Sequence, residues 1–297
     1  MLIGTTLSHP HLDFLKLDFK KSLVFLSKLE LGIIRIGCYW SEIETKKDNF
    51  NFAKIQTILE YCSRKKQKVI VTVGMKAPRW PEFYLPSWIN SSSQPDLFAR
   101  CLNFIDKTVN KLKSYPCIYS WQVENEPLDP SGPDNKSIPL PFFLKEVNLV
   151  KTINPKIKVS ANVWANECLK RKTIERLVPQ VDAVGLDLYY KVPINSFFYL
   201  SFPFSEDKPA NIIRNYEKDV WITELQAEPW EWQTIFYAGD NPRSISPSLM
   251  YRNFKKCLKA NPSVVLFWGY EYWYWRMVKK KDSSYFKILS KIRQEIT

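Results

Sequence analysis

Two glutamates stand directly after apolar runs that read as buried strands: Glu126 in "IYSWQVENEP" and Glu224 in "KDVWITELQ". An ionised carboxylate is costly to bury without partners, so a carboxyl at each of two strand ends invites a chemical reading. Such a pair can divide one reaction. One carboxyl, kept protonated by a raised pKa, gives its proton to a leaving oxygen, while the other, ionised, attacks carbon. Asn125 adjoins the first and offers an amide to a substrate hydroxyl. Glu124 shares alternation parity with Glu126 and reads as a supporting carboxylate of the core. Glu228, four residues beyond Glu224 and before Pro229, competes for the second role but reads better as a loop residue.

These residues need elements to hold them. The chain alternates short apolar runs with amphipathic stretches. "LIGTTL", "GIIRIGCYW", "KVIVTVG", "IYSWQVE", "IKVSANVW", "VDAVGLDLYY", "KDVWITELQ" and "SVVLFWGYEYW" read as strands one to eight. Between them lie helical patterns such as "FAKIQTILEYCSRKKQ" and "QPDLFARCLNFIDKTVNKLKSYP", the latter stopped by Pro116. The crossover between strands six and seven has helical spacing only near "PANIIRNYE". Eight strand–helix units with near-continuously apolar strands predict a parallel sheet buried on both faces. That count closes a (β/α)8 TIM barrel, one domain over residues 1–297. An open doubly wound sheet is the alternative, and it calls for a glycine-rich turn that a chain with 8 glycines lacks. In a barrel of this kind, catalytic groups gather at the C-terminal strand ends. Carboxylates and aromatics do collect there, and side chains at the ends of strands four and seven can point at a shared central volume.

Composition narrows the classes. The net charge of +13 lies in lysine runs such as "SRKKQK" and "VKKKDSS", which read as solvated surface. No zinc-finger or RNP-type pattern points to nucleic acid, so no nucleic-acid partner is expected. The 6 cysteines are scattered without a CxxC pair and read as free thiols. No metal-ligand spacing is present, and neither metal nor cofactor is expected. The N-terminus lacks a signal-peptide pattern and no apolar stretch reaches about 18 residues, so a cytoplasmic location and no membrane span are expected. Oligomeric state is not legible. The loops 128–140 and 191–210 match no motif; the latter reads as a lid, an apolar contact surface or plain packing.

With the strand ends aligned, the sequence resembles glycoside hydrolase clan A, the retaining (β/α)8 glycosidases, and most of all bacterial cellulase-family glycosylhydrolases. "NEP" at 125–127 resembles the clan's Asn-Glu-Pro, and "ITE" at 222–224 its strand-seven nucleophile motif. The resemblance covers nearly the whole chain. It implies Glu126 as acid/base, Glu224 as nucleophile, Arg35 of "IRIG" steadying that nucleophile, Tyr189 of "GLDLYY" beside it and Trp268 of "FWGYEYW" as floor of the sugar site. Asn125 is the expected contact to a sugar 2-OH. Trp40 and Trp80, with Trp164 and Trp273, are further candidates for stacking on sugar C–H faces. The expected substrate is a β-linked oligo- or polysaccharide, cleaved by double displacement. A transglycosylase on the same site and a non-catalytic carbohydrate-binding barrel are the alternatives. One departure stands out: the clan often places histidines around the nucleophile, and the only two here, His9 and His11, follow strand one.

Overall fold

A computed structural model describes residues 1–89, 93–165, 171–201 and 206–296; Cys168 and part of the 191–210 loop fall outside them. Eight parallel strands close a barrel: β1 (Leu2–Leu7), β2 (Ile33–Gly37), β3 (Lys68–Val73), β4 (Ile118–Val123), β5 (Lys158–Trp164), β6 (Ala183–Leu188), β7 (Asp219–Gln226) and β8 (Val264–Trp268). Each pairs with its chain neighbours, and β1 pairs with β8 to complete the ring. The fold is the (β/α)8 TIM barrel that the strand count predicts.

Side-chain alternation divides the barrel interior into layers. Ile33, Ile70, Ala183, Trp221, Val264 and Leu266 form a separate buried cluster that plugs the end where the strands begin. Two residues further along the same faces the interior turns polar. Thr6, Arg35, Gln122, Asn162 and Asp187 are all buried there, each 2% exposed or less. The apolar residues between them, such as Ile34, Ile36, Trp121, Val123 and Val163, belong to the larger core outside the ring, packed under the helices. A polar layer on an apolar plug is the platform on which the strand ends stand.

Two local differences from the sequence pattern matter for the site. The run "FWGYEYW" is not one long strand: β8 stops at Trp268, Gly269 takes a positive φ of 152°, and a helix runs from Tyr270 to Lys280. Trp273 therefore lies in a buried helix. The segment after β6 forms a two-stranded antiparallel hairpin, Lys191–Pro193 with Tyr199–Ser201, before the helix Asp207–Arg214.

Candidate active site

Glu224 owes its position to an irregularity. Trp221 faces the barrel interior, so strict alternation would send Glu224 outward. The register of β7 against both neighbours slips by one residue between Ile222 and Leu225. An extra residue of this kind re-aims the side chains around it, and Glu224 enters the mouth of the barrel. There Arg35 Nη2 meets Oε1 at 2.6 Å and the Tyr189 hydroxyl donates to Oε2 at 2.5 Å. Arg35 is fully buried, and it is held by Nε to Thr6 Oγ1 at 3.0 Å and by Nη1 to Gln122 Oε1 at 3.4 Å. Tyr190 turns the other way, to Glu206 at 3.0 Å.

Glu126 sits in a tight turn off β4. Glu124 and Glu126 both take positive φ, 60° and 44°. Their strain is held by hydrogen bonds. Glu124 is fully buried and accepts from the N–H groups of Met75 and Lys76 at 2.9 and 2.5 Å, clamping the β3 exit to the β4 exit. The clamp requires glycine at 74, where a Cβ would lie 2.3 Å from the Glu124 carboxyl carbon. Lys76 Nζ then donates to the carbonyls of Glu126 and Asp129, at 2.9 Å each. Glu124 is thus a structural clamp beneath the site, with Glu146 and Cys101 packed against it. These three are the one group among the described residues whose potential ligand atoms all lie within 4.8 Å. Burial and the neighbouring Glu124 push the Glu146 carboxyl well above the usual range, so a shared proton satisfies the pair.

Asn162 ties the two halves of the site together. Its Oδ1 accepts from the Glu126 N–H at 2.8 Å and from Gln122 Nε2 at 3.0 Å. Its Nδ2 donates to Asn125 Oδ1 at 3.0 Å and to Asp187 Oδ2 at 2.5 Å. Asp187 in turn accepts from Thr223 Oγ1, beside Glu224, at 2.7 Å. Burial, then the charges of Asp187, Glu224 and Glu82, push the Glu126 carboxyl well above the ordinary range, against the opposing charge of Lys76.

The two glutamates open onto one cleft of about 660 Å³, walled by Trp80, Asn125, Asp129, Trp164, Tyr189, Trp230 and Trp268 among others. It therefore gathers Glu126, Glu224, Asn125, Tyr189, Trp268 and Trp80, with Arg35 beneath. Trp40 does not reach it. The chain turns into a short helix, Trp40–Ile43, which buries the indole completely against Phe104, with Nε1 bonded to Glu44 at 2.7 Å. Trp268 is also less open than a bare platform, at 8% exposed, because the Arg79 guanidinium carbon lies 4.2 Å from its ring centroid. His9 and His11 are buried at the β1 exit, their pKa values pushed down to about 3 and about 2, chiefly by burial.

Sequence reasoning missed four contributors: Arg79, Lys76, Asp187 as a partner of Asn162, and Trp230, which meets Tyr189 edge-on at 5.2 Å. All four lie at strand exits already rich in polar and aromatic residues, which was the available signal.

The fold is shared with solved glycosidases. Xylanase 10B from Thermotoga maritima superposes with a TM-score of 0.64 at 17% identity, covering 99% of this chain and 96% of its own. An intracellular xylanase from Thermoanaerobacterium saccharolyticum gives 0.63 at 18%, covering 91% and 86%. A β-galactosidase from Marinomonas ef1 gives 0.65 at 13%, covering 90% of this chain and 54% of that one. No curated protein matches the sequence. The sequence model described as Glycosyl hydrolase family 10, a clan A family, matches residues 33–286. The chain belongs to glycosyl hydrolase family 10 and is a glycoside hydrolase.

Proposed function

We propose that the protein cleaves a neutral β-linked saccharide with retention of configuration, Glu126 acting as acid/base and Glu224 as nucleophile. The observation that carries this reading is the contrast between two carboxyls of one cleft. Both oxygens of Glu224 are fixed by charge-assisted partners, Arg35 and Tyr189. Glu126 has its carboxyl pushed toward the protonated form. Environments that separate two carboxyls in this way assign an acid and a nucleophile.

In the first step Glu126 protonates the glycosidic oxygen as that bond breaks, while a Glu224 oxygen bonds the anomeric carbon. Glu126, now a carboxylate, then takes a proton from water as the water's oxygen displaces Glu224 from that carbon. Arg35 and Tyr189 orient the attacking carboxylate. Asn162 holds Asn125 Oδ1 as an acceptor, so the Asn125 amide presents its N–H groups to a sugar 2-OH oxygen. Trp80, Trp164 and Trp230 offer ring faces to sugar C–H groups.

The test is a panel of aryl β-glycosides and neutral glycans against wild type, Glu126→Gln and Glu224→Gln. Xylo-oligosaccharides come first because related structures hold xylobiose and xylotriose. Both variants should lose at least a hundredfold in kcat on the substrate that wild type prefers, and the product first released should keep the β configuration by NMR. Wild-type turnover by either variant, or an α product, would reject the assignment.

A further inference from the structure

The cleft has one closed end. Arg79 leaves the β3 exit and Glu228 the β7 exit, and in the ring these strands lie four positions apart, on opposite sides. Their side chains nevertheless meet: Arg79 forms a two-pronged ion pair with both oxygens of Glu228. Arg79 Nη2 also binds Glu271 Oε2 at 2.5 Å, and Glu271 Oε1 accepts the Ser8 N–H at 2.6 Å. The bridge is therefore anchored to the exits of β8 and β1. Burial works against the charge on Arg79, but Glu228 and Glu271 outweigh it, and its pKa rises further above the usual guanidinium value.

The cleft lining confirms which side is closed. Among the described residues, every one that lines the cleft comes from the exits of β3 to β8, and none from those of β1 or β2. The residues at those two exits, His9, His11, Tyr39 and Trp40, are 5% exposed or less. Behind the Arg79 bridge, the barrel mouth is filled.

Reaction chemistry gives the cleft a direction. The acid/base must stand beside the leaving oxygen, so the leaving group lies toward β4, by Asp129 and Trp164. The sugar under attack lies over Glu224 and toward Trp268. β4 and β8 are themselves opposite in the ring, so that sugar points at the indole that Arg79 covers. The bridge stands at its far end.

We propose that Arg79, Glu228 and Glu271 form a terminal wall that admits a single sugar beyond the scissile bond. The protein would then release one unit at a time from the non-reducing end, with Arg79 and Glu228 as specificity-determining residues that face the terminal hydroxyls. This rests on the roles proposed for Glu126 and Glu224. Similarity of fold does not decide the point, since both endo-β-1,4-xylanases and β-galactosidases share it.

The test uses activated 2-deoxy-2-fluoro glycosyl fluorides. Attack by Glu224 expels fluoride and leaves a glycosyl ester that intact-protein mass spectrometry reads. The reagents are the gluco, galacto and xylo monosaccharides, and their counterparts extended by one β-1,4-linked sugar at the non-reducing end. A monosaccharide reagent should label wild type once, with no label on Glu224→Gln, and its extended counterpart should react at least a hundredfold more slowly. Arg79→Ala should narrow that gap. Comparable labelling of wild type by the extended reagent would overturn the wall while leaving Glu224 as nucleophile. Labelling by no reagent, or labelling that survives Glu224→Gln, would overturn the reading of Glu224 itself and the wall with it.

Discussion

Replacing Arg35 by methionine tests the buried ion pair on which the site is built. The Arg35 side chain is wholly buried and that of Glu224 is 6% exposed, with the closest nitrogen and oxygen 2.6 Å apart. Two unit charges about 4 Å apart attract by about 4 kcal/mol at an effective dielectric constant of about 20. Removing one member of a buried pair costs about 3–5 kcal/mol, because the other charge stays behind. Tyr189 still donates to Glu224 in the variant, so Arg35→Met should destabilise by about 3 kcal/mol, the lower end of that range. Glu224→Gln strands Arg35 instead and should cost a similar amount. The double variant strands neither charge, so its loss should fall short of the summed single losses by about 2 kcal/mol or more. Urea unfolding followed by circular dichroism and tryptophan fluorescence measures all four proteins, with coincident transitions required of each. Strict additivity in this cycle would refute the claim that Arg35 and Glu224 stabilise one another.

Three further outcomes follow from the same contacts. Tyr189→Phe removes one hydrogen bond to a charged, buried oxygen, worth about 1.5–3 kcal/mol; kcat should fall about 10- to 150-fold with little change in KM. Glu126 must be protonated to act, and its pKa is raised, so activity should persist above the ordinary carboxyl range and fall as pH rises through that raised value. Glu126→Ala should lose this alkaline limb with a dinitrophenyl leaving group, which needs no proton, and a pH–rate profile of the glycosylation step checks it. The Glu146 carboxyl is raised well above 4.5 by burial first and Glu124 second. The fold must therefore retain a proton that the unfolded chain releases, and this group alone should lower stability by about 1.4 kcal/mol per pH unit above about 4.5 until its folded pKa is passed. Glu146→Gln should reduce the slope by that share and leave the part carried by other raised carboxyls such as Glu126 and Asp187, as urea midpoints at pH 5 and pH 8 would show.

The barrel was legible because a strand buried on both faces writes itself as an apolar run, and eight such runs with helical spacers leave few topologies. Glu126 and Asn125 were legible for a related reason, since charge directly after such a run stands out. The aim of Glu224 was not. Counted from Trp221, alternation sends it outward, and only the slip in register between Ile222 and Leu225 brings it in. Trp40 failed in the opposite sense. Its place after β2 matched the other rim aromatics, but one helical turn separates the rim from the core beneath it. Arg79 and Glu228 could not be paired from sequence, because the two loops that carry them leave opposite sides of the ring. No local pattern records a contact made across a barrel diameter.

The chain as a whole is basic while its cleft is lined with carboxylates, and on the function proposed above the difference should select substrates. The excess of +13 is carried by residues such as Lys20, Lys65, Lys66, Lys279 and Lys280, all exposed. Among the described residues, the cleft wall holds Glu82, Glu126, Asp129, Glu224, Glu228 and Glu231 with Arg79; Glu126 is pushed toward its protonated form, and Arg35 and Lys76 answer Glu224 and Glu82, so the negative excess rests on Asp129, Glu228 and Glu231. Arg79 is itself bound by Glu228 and Glu271, so that cluster carries one net negative charge. A uronate carboxylate about 6 Å from one uncompensated negative charge would pay about 3 kcal/mol at an effective dielectric constant of about 20. A β-glucuronide should accordingly show kcat/KM about a hundredfold below that of the β-xyloside or β-glucoside with the same aglycone. Salt at 0.5 M should narrow the gap only slightly, because the charges concerned are shielded from solvent. Equal turnover of the acidic and neutral glycosides would mean that Arg79 meets the substrate as a free cation, which its two carboxylate partners exclude.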